Sequence, residues 1–195
     1  MTPGTLHDNV ATEVVRLGHL AERRHPGVDP HAADVLAQIV KLAALPASKG
    51  RTARRYASYE ELVIDRGRLH PWRPRPAALS KLEKRQCYRN ALHLAMRCGY
   101  TYVEGYAMAA IPVAHAWVLD TDGYVIDATW DDATPTGFYL GIAMDTEAVA
   151  TYCVGTGYHG VLCNDWLAGH RLLEHGAIDH LLAADHGPNA PSAGQ

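Results

Sequence analysis

At Gly99 the spacing of apolar residues changes from helical to alternating, and few architectures accommodate that change in this order. Upstream, Leu82 to Cys98 places Cys87, Ala91, Leu94, Ala95 and Cys98 on one stripe, and Gly99 suits a left-handed C-terminal cap. Downstream, Tyr100–Ala107, Pro112–Leu119, Tyr124–Trp130 and a weaker Gly137–Met144 alternate as strands do, each separated from the next by Gly, Pro or Asp. Links this short join antiparallel neighbours. Two helices are predicted ahead of this core: one over 7–23, carrying Val10, Val14, Val15, Leu17 and Leu20, and one from Pro30 to Leu45 with Asp29 as N-cap and Pro46 as terminator. A closing helix is expected within Asp165–Ala184, weakened by Gly169 and Gly176. Helices, then antiparallel strands, then a helix describe an α+β fold.

The chain has 195 residues, 48% of them apolar, enough for an ordinary core and too many for global disorder. One domain is expected over 1–185. It divides into a helical N-terminal part (1–47), a basic loop region (48–80), a central core (81–145) and a C-terminal part (146–185), with 186–195 as a flexible tail. No apolar run is long enough to span a membrane, and no export signal stands at the N-terminus, so no membrane partner and a cytoplasmic location are expected. Four cysteines at 87, 98, 153 and 163 form no CxxC pair and read as reduced thiols. Fourteen Arg against four Lys fit a GC-rich bacterial or phage genome.

Net charge is −3, too near balance to announce a nucleic-acid partner, but the distribution is uneven. Residues 51–85 hold ten Lys/Arg against four acids, whereas 120–195 hold eleven acids against Arg171 alone. Arg66, Arg68, Trp72, Arg73 and Arg75 lie in a stretch whose prolines forbid regular structure, read as a surface loop. An Arg/Trp mixture of this kind is the nucleic-acid alternative, with solvation as the ordinary explanation.

Three segments carry groups that chemistry uses: Gln86-Cys87-Tyr88-Arg89-Asn90-Ala91 on the helix, Ala114-His115-Ala116-Trp117 on one strand, and Ile126-Asp127-Ala128-Thr129-Trp130 on the next. Thiol attack needs a thiolate, which a helix N-terminus and a neighbouring imidazole both favour, and a carboxylate on the far ring nitrogen fixes the imidazole's tautomer. Register decides whether Asp127 reaches His115. The link Asp120-Thr121-Asp122-Gly123-Tyr124 suits a three-residue loop with Gly123 left-handed, so that 120 pairs with 124 and opposed residues sum to 244. Trp117 then faces Asp127, and His115 and Asp127 become diagonal neighbours on one face. A loop of even length would send Asp127 to the other face.

This order of Cys opening a helix, His-x-Trp on a strand and Asp-x-Thr on the adjacent strand resembles the transglutaminase-like branch of the papain-fold cysteine enzymes, over about residues 82–145. The resemblance implies Cys87 as nucleophile, His115 as general base and acid, and Asp127 as the residue orienting it. The fold it implies is a Cys-bearing helix packed on an antiparallel sheet that carries His and Asp. Members often place an oxyanion-stabilising Gln or Trp several residues before Cys; here Gln86 adjoins it, so the Cys87 backbone N–H and the Gln86 side chain are the candidate donors. Trp117 and Glu104 complete the oxyanion and substrate candidates, Glu104 reading equally as a solvent-facing strand residue.

The implied activity is a cofactor-free cysteine hydrolase or acyltransferase acting on a peptide, protein or small acyl or amide substrate. A non-catalytic partner-binding domain, in which Cys87 is a core residue, and nucleic-acid binding through 51–85 stay open as alternatives. Cys98, Cys153 and Cys163 read as inert. His159, His170, His175 and His180, at spacings of 11, 5 and 5, fit no familiar metal motif, so no metal site is assigned.

Overall fold

A computed structural model describes residues 6–45, 54–130, 137–176 and 179–183, with side chains from residue 9 onward. The expected terminator Pro46, the residues 131–136 that follow Trp130, and the tail 186–195 lie outside the described residues. The chain is mixed helix and sheet. Helices α1 (Leu6–Arg24), α2 (Pro30–Ala44) and α3 (Tyr59–Arg66) precede a short β1 (Arg68–Leu69). Then come α4 (Cys87–Cys98), β2 (Thr101–Met108), β3 (Pro112–Leu119), β4 (Val125–Ile126), β5 (Tyr139–Met144) and α5 (Thr146–Thr156). Two 3-10 turns, Asp165–Ala168 and Asp179–Leu181, flank a five-residue α6 (Arg171–His175). Among the described residues no helix is long and apolar enough to cross a membrane.

Local chemistry accounts for most boundaries. Asp29 caps α2 by accepting from the Ala32 N–H at 3.0 Å, with Pro30 at the first position. Gly99 ends α4 in the left-handed conformation, as its position implies. The five strands pair antiparallel in the order β1-β5-β2-β3-β4, so the last strand in sequence lies beside the central one and not at the edge next to β4.

Both faces of the sheet are covered. Tyr102, Ala116, Val118, Leu140 and Ile142 point into the main core with α1 to α6, while Val103, Ala107, Trp117, Val125 and Tyr139 form a smaller cluster on the opposite face. Every residue of β2 from Tyr102 to Ala107 is therefore buried, and the polar-outward alternation expected of a half-covered strand is absent.

Four sequence expectations need correction. The basic region 48–80 is not all loop: Ser58 caps α3 by accepting from the Glu61 N–H, and Leu62, Val63 and Ile64 are enclosed completely. Each such side chain gains about 1.5–3 kcal/mol over exposure, which explains how eight residues hold a helix there. Helix α4 starts at Cys87 rather than Leu82, because Arg85 sits at φ 64° and breaks the helical path. The strand expected over Tyr124–Trp130 shortens to two residues, since Asp127 Oδ1 accepts from the N–H groups of Thr129 and Trp130 and curls the chain. The closing helix is broken at Gly169 and Gly176, both left-handed, and α5 forms without a sequence expectation, capped by Asp145.

Candidate active site

The hairpin between β3 and β4 sets the site. Val118 pairs with Ile126 and Leu119 with Val125, and the Asp120 N–H donates to the Tyr124 carbonyl at 3.0 Å, so opposed residues do sum to 244. Gly123 is left-handed at φ 83°, as the three-residue loop requires. Asp120 Oδ1 stiffens that loop by accepting from the N–H groups of Asp122 and Tyr124.

With that parity, His115 and Asp127 share a face. His115 Nε2 stands 2.7 Å from Asp127 Oδ2, and both side chains are almost fully buried. Asp127 Oδ2 also accepts from the Tyr139 hydroxyl at 3.2 Å, and Oδ1 takes the Thr129 and Trp130 N–H groups at 2.8 and 3.1 Å. Burial alone would raise this carboxyl, but the bond and charge of His115 and the two backbone donors outweigh it and hold Asp127 below its ordinary range. For His115 burial lowers the pKa, and the hydrogen bond it makes to Asp127, then the influence of Cys87, with their charges, overcome it and push it up to about 9. The imidazolium form is thus favoured near neutral pH.

Cys87 is the first residue of α4, and its thiol is near enough to the same ring to help raise the His115 pKa. With Nε2 given to Asp127, Nδ1 is the ring nitrogen left for the thiol. The helix is held in place by Asn90, whose Nδ2 donates to the Glu83 carbonyl at 2.7 Å and to Thr129 Oγ1 at 3.0 Å, and by the Leu82 N–H bonded to the Ala128 carbonyl at 2.7 Å. These bonds stitch the helix start to the residues flanking Asp127. Cys87 is half-buried, whereas His115 is 2% exposed and shielded from solvent. Cys87 is not among the buried residues of α4, which are Asn90, Ala91, Leu92, Leu94 and Ala95.

The imidazole packs against two indoles. Trp130 stacks on it with centroids 4.2 Å apart, and Trp117 lies 6.3 Å away at a similar tilt. Trp117 is buried edge-on to Tyr139, and its indole rests on Gly141, where an added Cβ would lie 2.6 Å from Trp117 Cη2. Trp117 is 1% exposed and packs against the ring as part of the buried cluster on this face. Its Nε1 has no hydrogen-bond partner among the described residues.

Gln86 occupies the N-cap of α4 but makes no side-chain cap bond. The first N–H groups of α4, including that of Cys87, have no intrahelical acceptor. Glu104 is not part of this cluster. It projects to the opposite face of β2, fully buried, and accepts from the Tyr102 hydroxyl at 2.8 Å and from the N–H groups of Val161 and Leu162 at 2.6 and 2.9 Å. It fastens the 160–164 loop to the core. Burial raises its pKa against those bonds.

The basic residues of the nucleic-acid alternative do not form one patch. Arg66 and Arg68 sit at the β1 edge, whereas Trp72 bridges Val125 of β4 at the other edge, Arg73 binds Asp120, and Arg75 reaches the Asp127 carbonyl. Of the histidines considered for metal, His170 accepts or donates at Nδ1 with the Tyr59 hydroxyl, and among the described residues no three His, Cys, Asp or Glu side chains converge as a metal set. Asn90, Thr129 and Trp130 lie within the motif segments of the sequence reading but received no role there, and Tyr139 was read only as part of a strand.

No family model, curated protein or solved structure matches the chain.

Proposed function

We propose that this protein is a cysteine-dependent acyl-group hydrolase or transferase with a Cys87-His115-Asp127 triad, built in the papain-like manner that the sequence resemblance implies. The supporting observation is the buried His115–Asp127 pair at 2.7 Å with the thiol of a helix's first residue on the same imidazole. In this reading the Cys87 sulfur attacks a carbonyl carbon, and His115 Nδ1 holds the thiol proton. The oxyanion is received by the free N–H groups at the start of α4. Collapse to a thioester expels the leaving group, which takes the proton from His115. Water or an acceptor amine then attacks the thioester, with His115 removing its proton, so hydrolysis and transfer differ only in the second nucleophile.

The test is the alkylation of Cys87 by iodoacetamide between pH 5 and 8, with peptide mass mapping to separate it from Cys98, Cys153 and Cys163. Cys87 is expected to react rapidly at pH 6, where an ordinary thiol is protonated, and His115→Ala to slow it by at least tenfold. Slow reaction at pH 6 that His115→Ala leaves unaltered would overturn the reading and favour a non-catalytic domain.

A further inference from the structure

Away from Cys87, a cavity of about 430 Å³ opens between the end of α1 and the turn from α3 into β1. Arg24, Arg55, Asp65, Arg66, Gly67 and Arg68 line it. Apart from Asp179, which pairs with Arg66, four arginines thus meet one lining carboxylate. That carboxylate is already engaged: Asp65 Oδ1 accepts from Arg24 at 2.7 Å and Oδ2 from the Tyr56 hydroxyl at 2.6 Å. Asp65 therefore holds Arg24 in position instead of closing the cavity.

The other arginines are set by their surroundings. Gly67 allows the chain to turn tightly enough to present Arg66 and Arg68 to one space, since a Cβ there would lie 2.5 Å from the Val63 carbonyl oxygen. Arg66 is anchored at the rim by Asp179 at 2.6 Å. The Arg55 stem packs on Gly176, where a Cβ would lie 2.7 Å from its Cδ, and its guanidinium lies over the Tyr56 ring at 5.5 Å. No carboxylate of the described residues pairs with it. Arginine forks held in place lose little freedom on binding an oxyanion.

We propose that this cavity binds a phosphoryl group, either free phosphate or the monoester of a small molecule. A carboxylate offers two oxygens in one plane, whereas a phosphoryl group offers three oxygens and close to two charges to forks arriving from several elements. The site is independent of the chemistry at Cys87.

Calorimetric titration of the full chain with inorganic phosphate and with glycerol 3-phosphate, at constant ionic strength, tests the assignment. Saturable one-to-one binding is expected. Arg55→Gln should weaken it at least tenfold without moving the thermal midpoint, and Arg55→Lys, which keeps the charge and loses the fork, should weaken it less. Lys84→Gln, an equal charge change beside α4, should leave it unaltered. Tighter binding of the ester identifies an organic phosphate as the source, and equal binding identifies phosphate itself. Absence of saturable binding for both anions, or equal losses in Arg55→Gln and Lys84→Gln, would overturn the proposal.

Discussion

His115 and Gly105 stand opposite each other on β3 and β2, and Gly105 in turn faces Gly141 on β5, so the imidazole borders a strip of sheet with no side chains of its own. The Trp117 indole fills that strip and backs the His115 ring. A side chain at Gly105 would meet the Leu140 carbonyl oxygen at 2.1 Å, and one at Gly141 would meet the indole.

Gly141→Ala should therefore force Trp117 to move, costing about 1–3 kcal/mol of stability as overpacking does. It should also slow Cys87 alkylation at pH 6 by disturbing the ring. Gly155→Ala, in α5 with nothing within 4 Å, should instead gain about 0.5 kcal/mol from the reduced freedom of the unfolded chain. Urea unfolding of the two variants side by side checks the contrast.

Asp127→Asn removes the charge facing a buried imidazole and leaves the Nε2 partner imperfect. Loss of one member of such a pair typically costs about 3–5 kcal/mol, so the melting temperature should drop clearly. In the fraction still folded, the pH 6 reactivity of Cys87 should fall at least tenfold; reactivity equal to wild type would show that the carboxylate does not orient the ring.

Stability should decline on the alkaline side. The folded pKa of His115 is raised to about 9 from an ordinary 6.5, through Asp127 and Cys87 acting against burial. The folded state then holds a proton the unfolded chain releases, so this contribution is complete below pH 6.5 and is lost as pH rises through about 9. Asp127, held low by His115 against burial, contributes above its unfolded pKa and loses that contribution as pH falls. Denaturant midpoints measured from pH 6 to 9.5 should fall for wild type and flatten over that window for His115→Ala.

Glu104→Gln keeps the volume but sets an amide NH2 among three donors, from Tyr102, Val161 and Leu162. A cost of about 1–3 kcal/mol is expected, with faster hydrogen exchange at the Val161 and Leu162 amides. Unchanged exchange there would show that the carboxylate does not tether the loop.

Much of the core was legible because the forces involved are local. Pro112–Leu119 is the β3 observed, Asp29 and Gly99 cap the helices they were expected to cap, and the odd-length turn at Gly123 set the face of His115 and Asp127. The errors have two sources, distant packing and local bonds whose effect the sequence pattern does not display. The helix at Tyr59–Arg66 inside a basic stretch is held by burial of Leu62, Val63 and Ile64 against the distant core, whereas the two-residue β4 and the broken C-terminal segment follow from local bonds of Asp127 and from Gly169 and Gly176.

By itself, then, the sequence determined side-chain parity and chain order, since backbone alternation and turn chemistry act over a few residues. Only tertiary packing decided the rest. It placed β5 beside β2, enclosed Glu104 as a clamp, seated Trp130 and Tyr139 against the imidazole pair, and joined arginines from α1 and α3 around one cavity. These are contacts between residues tens of positions apart, whose energy exists only once the whole core excludes water.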